Sequence, residues 1–353
     1  MSPMKPDDVI DALARTAEAW SDPEHPPRAA AVDATLDAHP ETQTFEAITF
    51  AVNQTMSVVT ADALRAWQAG RWAETPVTVG VLHAGNIPMG ELQDVLAVLV
   101  AGHRYRGVVS SKSPFLLPAF LADLAARAPG VDARVVDFEA LLTEADAVVA
   151  TGSDETMAEI AARLDTVGIG PGQRLLRGHR ISAAVVDGRE SEPERERLAE
   201  DVLLHEGAGC RSVALVFAPP GLSPDPYLDA FAAGRAVYPA PPATAAGLRM
   251  SAALARATGQ PNATLEDGSL LVTKGDAEAQ RPGHLRWVEA SMDVAVAWLA
   301  AHRERLQLVA ARPALHAALV GSGVPVVDLG ETQRPPLDWQ PDGVDTLAWL
   351  ARR

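Results

Sequence analysis

Cys210 is the only cysteine among the 353 residues, and its neighbours leave its thiol open to a substrate. Glycine stands at positions 207 and 209, where no side chain can shield the sulfur, and Arg211 follows directly. A cation close to a thiol favours the thiolate, which is the nucleophilic form. Such a thiolate can attack a carbonyl carbon and hold the acyl group covalently. The alternative is that Cys210 packs as a small apolar side chain.

A second candidate site is the polar stretch Thr151-Gly152-Ser153-Asp154-Glu155-Thr156. It stands at the start of a segment with helical spacing. Ser153 is a favourable N-cap, and the backbone amides of such a helix start could hold a pyrophosphate. Asp154 and Glu155 suit the helix dipole but repel phosphate, so the amides and the Ser153 hydroxyl would make that contact. Capping alone is the alternative role. The glycines between 168 and 172 lack the spacing of a dinucleotide-binding fingerprint and indicate a turn.

The hydrophobic pattern predicts the elements that position these residues. Apolar runs typical of buried strands cover 77–82, 107–110, 133–138, 147–150 and 181–186, and segments with helical periodicity between them cover 89–101, 115–127 and 154–164. Strands that alternate with helices predict βαβ units and a mostly parallel sheet. Ligands bind such sheets at the carboxyl ends of the strands. The segments 83–88 and 151–156 both follow predicted strand ends.

The cysteine is predicted to lie on a helix-to-strand turn in a second α/β unit. A helix begins near 191–194, which has capping-box spacing, and runs towards Glu206. After the strand that follows Cys210, the pattern predicts helices at 226–237 and 243–257, a hairpin turn at Asp267-Gly268, and strands at 284–290, 306–310 and 324–329. We expect an α/β fold with a helical segment 1–75, domains 76–200 and 201–330, and a C-terminal tail 331–353 whose last residues, 345–353, are helical.

Composition limits the class of protein. With 48% hydrophobic and 22% charged residues the chain is an ordinary globular protein. The net charge of -16 argues against non-specific binding to nucleic acid or to anionic membrane, because both require clustered Lys and Arg. The start lacks the apolar core of a signal peptide, and no uncharged apolar stretch is long enough to span a bilayer. We therefore expect a cytoplasmic protein without a metal site or an intrachain disulfide.

Three segments in this order resemble the long-chain fatty acyl-CoA reductase family of the LuxC type, a branch of the aldehyde dehydrogenase superfamily. They are Ala84–Pro88, Val148–Thr156 and Ala199–Ser212. Ser110–Phe115, Arg177–Val186 and the closing Asp342-Gly343 fit the same order. The resemblance covers residues 77–217 well and the remainder loosely. It implies an aldehyde dehydrogenase-like fold, with a Rossmann-type NAD(P)-binding domain at 76–200 and a catalytic domain at 201–330.

The resemblance also implies roles for particular residues. Cys210 would form a thioester with the acyl group, and Asn86 would help to stabilise the oxyanion. A nicotinamide cofactor near Gly152 and Ser153 would deliver hydride, and the loop after the second strand would add cofactor contacts from Ser110, Ser111 and Lys112. The implied reaction reduces an acyl thioester, acyl-CoA or acyl carrier protein, to an aldehyde. The superfamily also implies a homodimer or homotetramer.

The sequence departs from the family pattern in its cofactor contacts. Val108 stands where the branch carries a lysine before the paired serines, so Lys112 or Arg106 would have to substitute. No acidic residue occurs from 110 to 115 to bond a ribose 2′-hydroxyl, and Lys112 could meet a 2′-phosphate. NADPH is therefore the expected cofactor, with NADH possible.

A second departure concerns the general base. No carboxylate stands at 175–181, where acid-forming aldehyde dehydrogenases carry their glutamate, so His179 and His205 are the nearest titratable candidates. The chain is also shorter than typical full-length reductases of this branch, which implies a reduced acyl pocket. Three alternatives stay open: a CoA-independent aldehyde dehydrogenase, an acyl-phosphate reductase of the same fold, and a non-catalytic partner subunit.

Overall fold

A computed structural model describes residues 5–90 and 92–353. The chain forms two compact units. The first comprises the described residues up to His39, together with Ile48–His179 and Pro336–Arg353, and the second comprises Pro40–Ala47 and Arg180–Pro335.

Helices form the start of the chain: α1 (Pro6–Ser21), α2 (Pro26–Ala38), α3 (Phe45–Val58) and α4 (Ala61–Gln68). Helices α1 and α2 each open on proline, whose missing N–H is not needed in the first turn. Trp20 is fully buried and packs edge-on against Phe120 of the first unit, with the ring centroids 5.4 Å apart. Helices α1 to α4 therefore contribute residues to the same core as the first sheet.

The first unit contains a parallel sheet in the order β3-β2-β1-β4-β5. Its elements are β1 (Thr78–Leu82), α5 (Leu92–Val100), β2 (Arg104–Val108), α6 (Leu116–Arg127), β3 (Ala133–Val135), α7 (Phe138–Glu144), β4 (Ala147–Thr151), α8 (Asp154–Thr166) and β5 (Arg174–Arg177). Leu82 lies opposite Val108 on one side and Ala150 on the other. The loops after β1, β2 and β4 therefore begin at the same edge of the sheet.

The second unit contains a sheet in the order β12-β11-β6-β7-β10-β9-β8. Its elements are β6 (Ile181–Val185), α9 (Glu192–Leu203), β7 (Val213–Ala218), α10 (Asp225–Arg235), α11 (Pro242–Ala257), β8 (Asn262–Thr264), β9 (Leu271–Lys274), β10 (His284–Glu289), α12 (Met292–Ala301), β11 (Leu306–Ala311), α13 (Pro313–Leu319) and β12 (Val326–Val327). All pairs are parallel except the hairpin β8–β9. Its turn contains Gly268 at φ 72°.

The last helix, α14 (Thr346–Leu350), belongs to the first unit. It is held there by side chains that include His103, whose Nε2 lies 3.0 Å from the Leu350 carbonyl oxygen. Residues 336–353, most of the predicted C-terminal tail 331–353, therefore belong to the first unit.

The predicted α/β alternation is confirmed, but the structure divides the chain earlier than expected. Strand β6 pairs with β7 and β11, so it belongs to the second sheet, and the boundary falls after His179 instead of near residue 200. Strand β5 and helix α7 were not predicted. Strand β5 reads Arg-Leu-Leu-Arg, which is too short and too polar at its ends to stand out as an apolar run.

Candidate active site

Cys210 lies in the loop between α9 and β7, as the sequence predicts, and its side chain is exposed. Helix α9 begins with the predicted capping box, in which Ser191 N and Oγ donate to Glu194 Oε2 at 2.7 and 2.8 Å. The alternative of a buried structural cysteine is therefore wrong. The thiol is presented by a loop and does not pack in a core.

The chain reaches Cys210 through three consecutive residues in the left-handed region: His205 at φ 58°, Glu206 at φ 56° and Gly207 at φ 76°. Only glycine adopts this conformation without cost, so the two preceding residues store strain of about 1 kcal/mol or more each. Such strain persists only where the surroundings hold it in place. The loop that presents the thiol is thus a held, specific conformation.

Glu206 provides that hold. Its carboxylate accepts hydrogen bonds from both Nη atoms of Arg235 at 2.6 and 2.9 Å, and its carbonyl oxygen accepts one from Gly283 N at 2.8 Å. Arg235 also donates to the Ser269 carbonyl oxygen at 2.8 Å. Burial raises the pKa of Glu206, and the Arg235 guanidinium opposes this shift. Both the backbone and the side chain of Glu206 are fixed.

The other side of the cysteine loop is tied to the interior of the second unit. Ser182, a fully buried residue of β6, donates from Oγ to the Cys210 carbonyl oxygen at 2.8 Å. Ser212 is also buried, and its Oγ accepts from Gln333 Nε2 at 3.3 Å. Gln333 Nε2 lies at the same distance from Thr332 Oγ1. These bonds fix the residues on both sides of Arg211.

The buried side chain of Asp201 is also connected to these residues, through Thr332. One carboxylate oxygen accepts from Gly330 N at 2.7 Å, and the other accepts from Thr332 N and Oγ1 at 3.2 and 2.7 Å. Burial raises the pKa of Asp201 to about 7, although the three hydrogen bonds favour its charged form. Asp201 therefore joins α9 to residues 330–332, and through Gln333 to the cysteine loop.

Arg211 places a positive charge beside the thiol. Burial lowers the pKa of Arg211, while the negative charge of a Cys210 thiolate raises it, so the two groups interact electrostatically. By the same interaction, the positive charge of Arg211 favours the thiolate form of Cys210. Burial, and then the charge of Arg211, lower the pKa of His205 to about 3, so this imidazole is neutral near pH 7 and is a very weak base.

The loop after β1 begins with a buried histidine. His83 Nε2 lies 2.6 Å from Tyr105 Oη, and burial lowers the pKa of His83 to about 4. Gly85 follows at φ 67°, where a Cβ would lie 2.5 Å from Ser110 Cβ. The loops after β1 and β2 are therefore in direct contact, and only glycine fits at position 85.

Asn86 and Lys112 meet at this contact. Both are exposed, and Lys112 Nζ donates to Asn86 Oδ1 at 3.0 Å. Ser110 shapes the second loop, because its Oγ accepts from Lys112 N at 3.2 Å and its carbonyl oxygen accepts from Ser113 N at 3.0 Å. The structure thus brings together Asn86, Ser110 and Lys112, and it leaves Ser111 exposed beside them.

Ser153 caps α8, the role that the sequence offered as the alternative to phosphate binding. Its Oγ accepts from Thr156 N at 3.1 Å and shares a hydrogen bond with Thr156 Oγ1 at 2.8 Å. Asp154 Oδ1 accepts from His179 N at 2.8 Å, and a Cβ at Gly178 would lie 2.2 Å from that oxygen. The start of α8, after Gly152, is therefore linked to the residues that follow β5.

The Arg106 side chain is not available to contact a cofactor ribose. It is buried within β2, where its guanidinium donates to Asp132 Oδ1 at 2.7 Å and to Glu144 Oε2 at 2.6 Å. Hydrogen bonds to these two carboxylates outweigh burial and raise its pKa. The side chain is committed to a structural ion pair.

At the predicted position of the general base, Arg177 is held in an ion pair and His179 is exposed. Arg177 is buried, and its Nη1 donates to both carboxylate oxygens of Asp94 at 2.9 and 2.8 Å. His179 is exposed. No group of three or more His, Cys, Asp or Glu side chains among the described residues could hold a metal ion.

Sequence reasoning missed the residues that support the site: Ser182, Asp201, Thr332, Gln333 and Arg235. Only Asp201 carried a signal, since it occupies an inward position of a helix that otherwise buries Leu198 and Val202. The other partners come from distant parts of the chain. No local pattern links them to Cys210.

Residues 73–223 match the family model described as acyl-CoA reductase (LuxC). No curated protein matches the chain. Likeness to solved structures is extensive but distant in sequence, as three of them show.

An oxidoreductase from Marinobacter aquaeolei has a TM-score of 0.72 at 12% identity, over 93% of this chain and 79% of that one. An NAD-dependent benzaldehyde dehydrogenase from Corynebacterium glutamicum has a TM-score of 0.68 at 14% identity, over 93% of this chain and 82% of that one. An indole-3-acetaldehyde dehydrogenase in complex with NAD+ has a TM-score of 0.66 at 12% identity, over 93% and 76%. The predicted aldehyde dehydrogenase-like α/β fold is confirmed.

Proposed function

We propose that the chain, whose residues 73–223 match the acyl-CoA reductase (LuxC) family model and whose fold is aldehyde dehydrogenase-like, reduces an acyl thioester to an aldehyde with NAD(P)H. The first unit would bind the cofactor, and the second would carry the nucleophile. The observation that carries the proposal is the exposed Cys210 on its strained, anchored loop within the matched segment.

The first step is acyl transfer. The Cys210 thiolate attacks the carbonyl carbon of the acyl thioester, a new carbon–sulfur bond forms, and the carrier leaves as its own thiolate. Arg211 favours the attacking thiolate by its charge. The strained loop keeps the sulfur exposed for this attack, because Glu206 and Ser182 hold the chain on either side of it.

Oxyanion stabilisation is the next requirement. In our proposal the Asn86 amide nitrogen and the Cys210 backbone N–H donate to the carbonyl oxygen as it becomes negative. Asn86 suits this role because Lys112 binds its oxygen, which leaves the amide nitrogen as the end that faces away from the lysine. Collapse of the reduced hemithioacetal then releases the aldehyde and restores the thiolate.

The cofactor would bind at the carboxyl edge of the parallel sheet. The neighbours named as NAD-dependent or NAD-bound support a nicotinamide cofactor, which when bound supplies the hydride for the acyl carbon. Backbone amides after Gly152 at the start of α8 suit a pyrophosphate, while Ser153 serves as their cap. The loop with Ser110, Ser111 and Lys112 offers donors and no carboxylate, which fits a 2′-phosphate and favours NADPH over NADH.

Acid formation should be slow in this enzyme. Hydrolysis of an acyl-enzyme needs a positioned base to activate water. Arg177, in the stretch where that base is expected, is paired with Asp94 and only donates hydrogen bonds. His205 is too weak a base, which leaves the exposed His179. With His179 as the single histidine left for that role, we propose that the acyl-enzyme persists until hydride or a thiol removes it.

The test is cofactor-free acylation of the purified chain. Acetyl-, octanoyl- and palmitoyl-CoA, and the same acyl groups on acyl carrier protein, should each be tried, and intact-mass spectrometry should show the acyl mass at Cys210. Cys210→Ser should abolish this adduct, and addition of NADPH should convert it to aldehyde. Reaction with acyl phosphates alone would favour the acyl-phosphate reductase alternative. No adduct with any donor would indicate a non-catalytic subunit.

Two further properties belong to the proposal. We expect a homodimer or homotetramer, which light scattering would measure. Among the described residues no helix is long and apolar enough to cross a bilayer. Action in the cytoplasm is proposed on the sequence composition and is tested by cell fractionation.

A further inference from the structure

Lys112 is turned towards Asn86, and this contact has a fixed polarity. Its Nζ donates to Asn86 Oδ1 at 3.0 Å. An ammonium group has three donors and no acceptor, so it can pair only with the oxygen of a carboxamide. If the Asn86 amide turned over, two donor groups would face each other. The lysine thus distinguishes the two ends of the amide.

The two side chains meet because their loops are locked together. Gly85 packs directly against Ser110, since even a methyl group at position 85 would lie 2.5 Å from Ser110 Cβ. The Ser110 side chain and carbonyl oxygen accept bonds from Lys112 N and from the N–H of the buried Ser113. The backbones of both loops are therefore placed before any substrate binds.

We propose that Lys112 is a positioning residue that orients the Asn86 carboxamide for oxyanion stabilisation. This inference rests on the proposed role of Asn86. A developing oxyanion is attracted by the amide nitrogen and repelled by the amide oxygen, so a reversed carboxamide would oppose the reaction. Lys112 removes the reversed state and leaves the nitrogen as the end available to the oxyanion. Its positive charge also polarises the amide.

The experiment uses acylation of Cys210 by p-nitrophenyl acetate without cofactor, followed by p-nitrophenolate release. Lys112→Met is nearly isosteric but has no donor, and acylation should slow about tenfold, less than the hundredfold or more expected for loss of the donor in Asn86→Ala. Lys112→Arg should retain most of the rate because a guanidinium is also a donor without an acceptor. Lys274→Met, at a surface lysine paired with Glu289, is the matched control and should acylate normally.

Iodoacetamide provides a second readout that a general structural change would alter. It alkylates Cys210, the only cysteine, through a displacement that forms no oxyanion. Lys112→Met should therefore alkylate at the wild-type rate while it acylates slowly. Equal slowing of both reactions would show an effect on the thiol itself and would overturn the proposal.

The double variant Lys112→Met/Asn86→Ala decides whether the lysine acts through the asparagine. Its acylation rate should equal that of Asn86→Ala, because without the Asn86 carboxamide Lys112 has no group to orient. Effects that multiply, or a normal rate in Lys112→Met alone, would overturn the positioning role and leave the proposed function intact. A normal rate in Asn86→Ala would overturn both the oxyanion role and this inference.

Discussion

Arg177 Nη1 lies 2.9 and 2.8 Å from the two carboxylate oxygens of Asp94, at the point where β5 ends. The arginine also donates to Thr346 Oγ1 in the last helix. Both charged side chains are largely removed from solvent, so each depends on the other. Arg177 therefore fastens α5, β5 and α14 of the first unit together.

Arg177→Met should lower the free energy of unfolding by about 3–5 kcal/mol, because it leaves the Asp94 carboxylate buried without its partner. Urea unfolding followed by circular dichroism measures this loss. Arg163→Met removes a surface pair with Glu139 and should cost less than about 1 kcal/mol. Equal effects in the two variants would contradict a buried pair at Arg177.

Asn86→Ala should lower the turnover of acyl-CoA by about a hundredfold or more, since one oxyanion donor contributes about 3 kcal/mol to the transition state. Cofactor binding should change little, as nucleotide fluorescence titration would show. Lys274→Met, at a surface lysine paired with Glu289, is the comparison variant and should keep normal turnover. Unchanged turnover in Asn86→Ala would show that the asparagine has only a structural role, as a turn residue before Ile87-Pro88.

NADPH should be used at least as efficiently as NADH, because residues 110–115 contain no carboxylate to bond a 2′-hydroxyl. The measurement is kcat/KM with each nucleotide. Lys112→Met should raise the KM for NADPH relative to NADH if one of the three ammonium donors also meets the 2′-phosphate. An unchanged ratio of the KM values for NADPH and NADH would show that Lys112 does not bind the 2′-phosphate. The cofactor-free acylation assay is independent of this result.

Acid should destabilise the first unit through His83. Burial lowers its folded pKa to about 4, below the unfolded value of about 6.5, so the unfolded chain takes up the proton first. The stability contribution is therefore full above about pH 6.5 and is lost as the pH falls to about 4, at about 1.4 kcal/mol per pH unit. His83→Gln should flatten the pH dependence of urea unfolding in this window.

Much of the fold was predictable because its information is local. Apolar runs and helical periodicity located most strands and helices, and Ser191 and Ser153 marked helix starts that the structure confirms. The sequence also indicated that the loops carrying Asn86 and Lys112 follow strands of one parallel sheet, but it did not predict that the two side chains meet. Their hydrogen bond was not predictable, because it depends on side-chain direction.

The supporting contacts of the cysteine loop could not be predicted for a different reason. Ser182 and Gln333 approach Cys210 and Ser212 only after the second sheet has formed, and no sequence spacing encodes such long-range pairs. The same applies to β6, whose apolar pattern suits either sheet. Its partners β7 and β11 decide where it belongs. Pairing partners, more than element types, limit sequence reasoning here.

If the proposed function is right, the chain should oxidise aldehydes to free acid only slowly when CoA is absent. The acyl-enzyme on Cys210 needs a positioned base that activates water for hydrolysis, and His179 is the one histidine left for that role near β5. Arg177 is committed to Asp94, and His205 has a pKa of about 3. A thiol such as CoA needs no such base, because its thiolate attacks the thioester directly.

The measurement follows an aldehyde and NADP+ with and without CoA and quantifies the acid and acyl-CoA products. Acyl-CoA should form when CoA is present, and acid should accumulate slowly in either case. His179→Gln is the matched variant, since it removes the one remaining histidine near that position. Rapid acid formation without CoA that disappears in His179→Gln would assign His179 as the base and favour a CoA-independent aldehyde dehydrogenase. Rapid acid formation that survives in the variant would place the base elsewhere in the chain, with the same consequence for function.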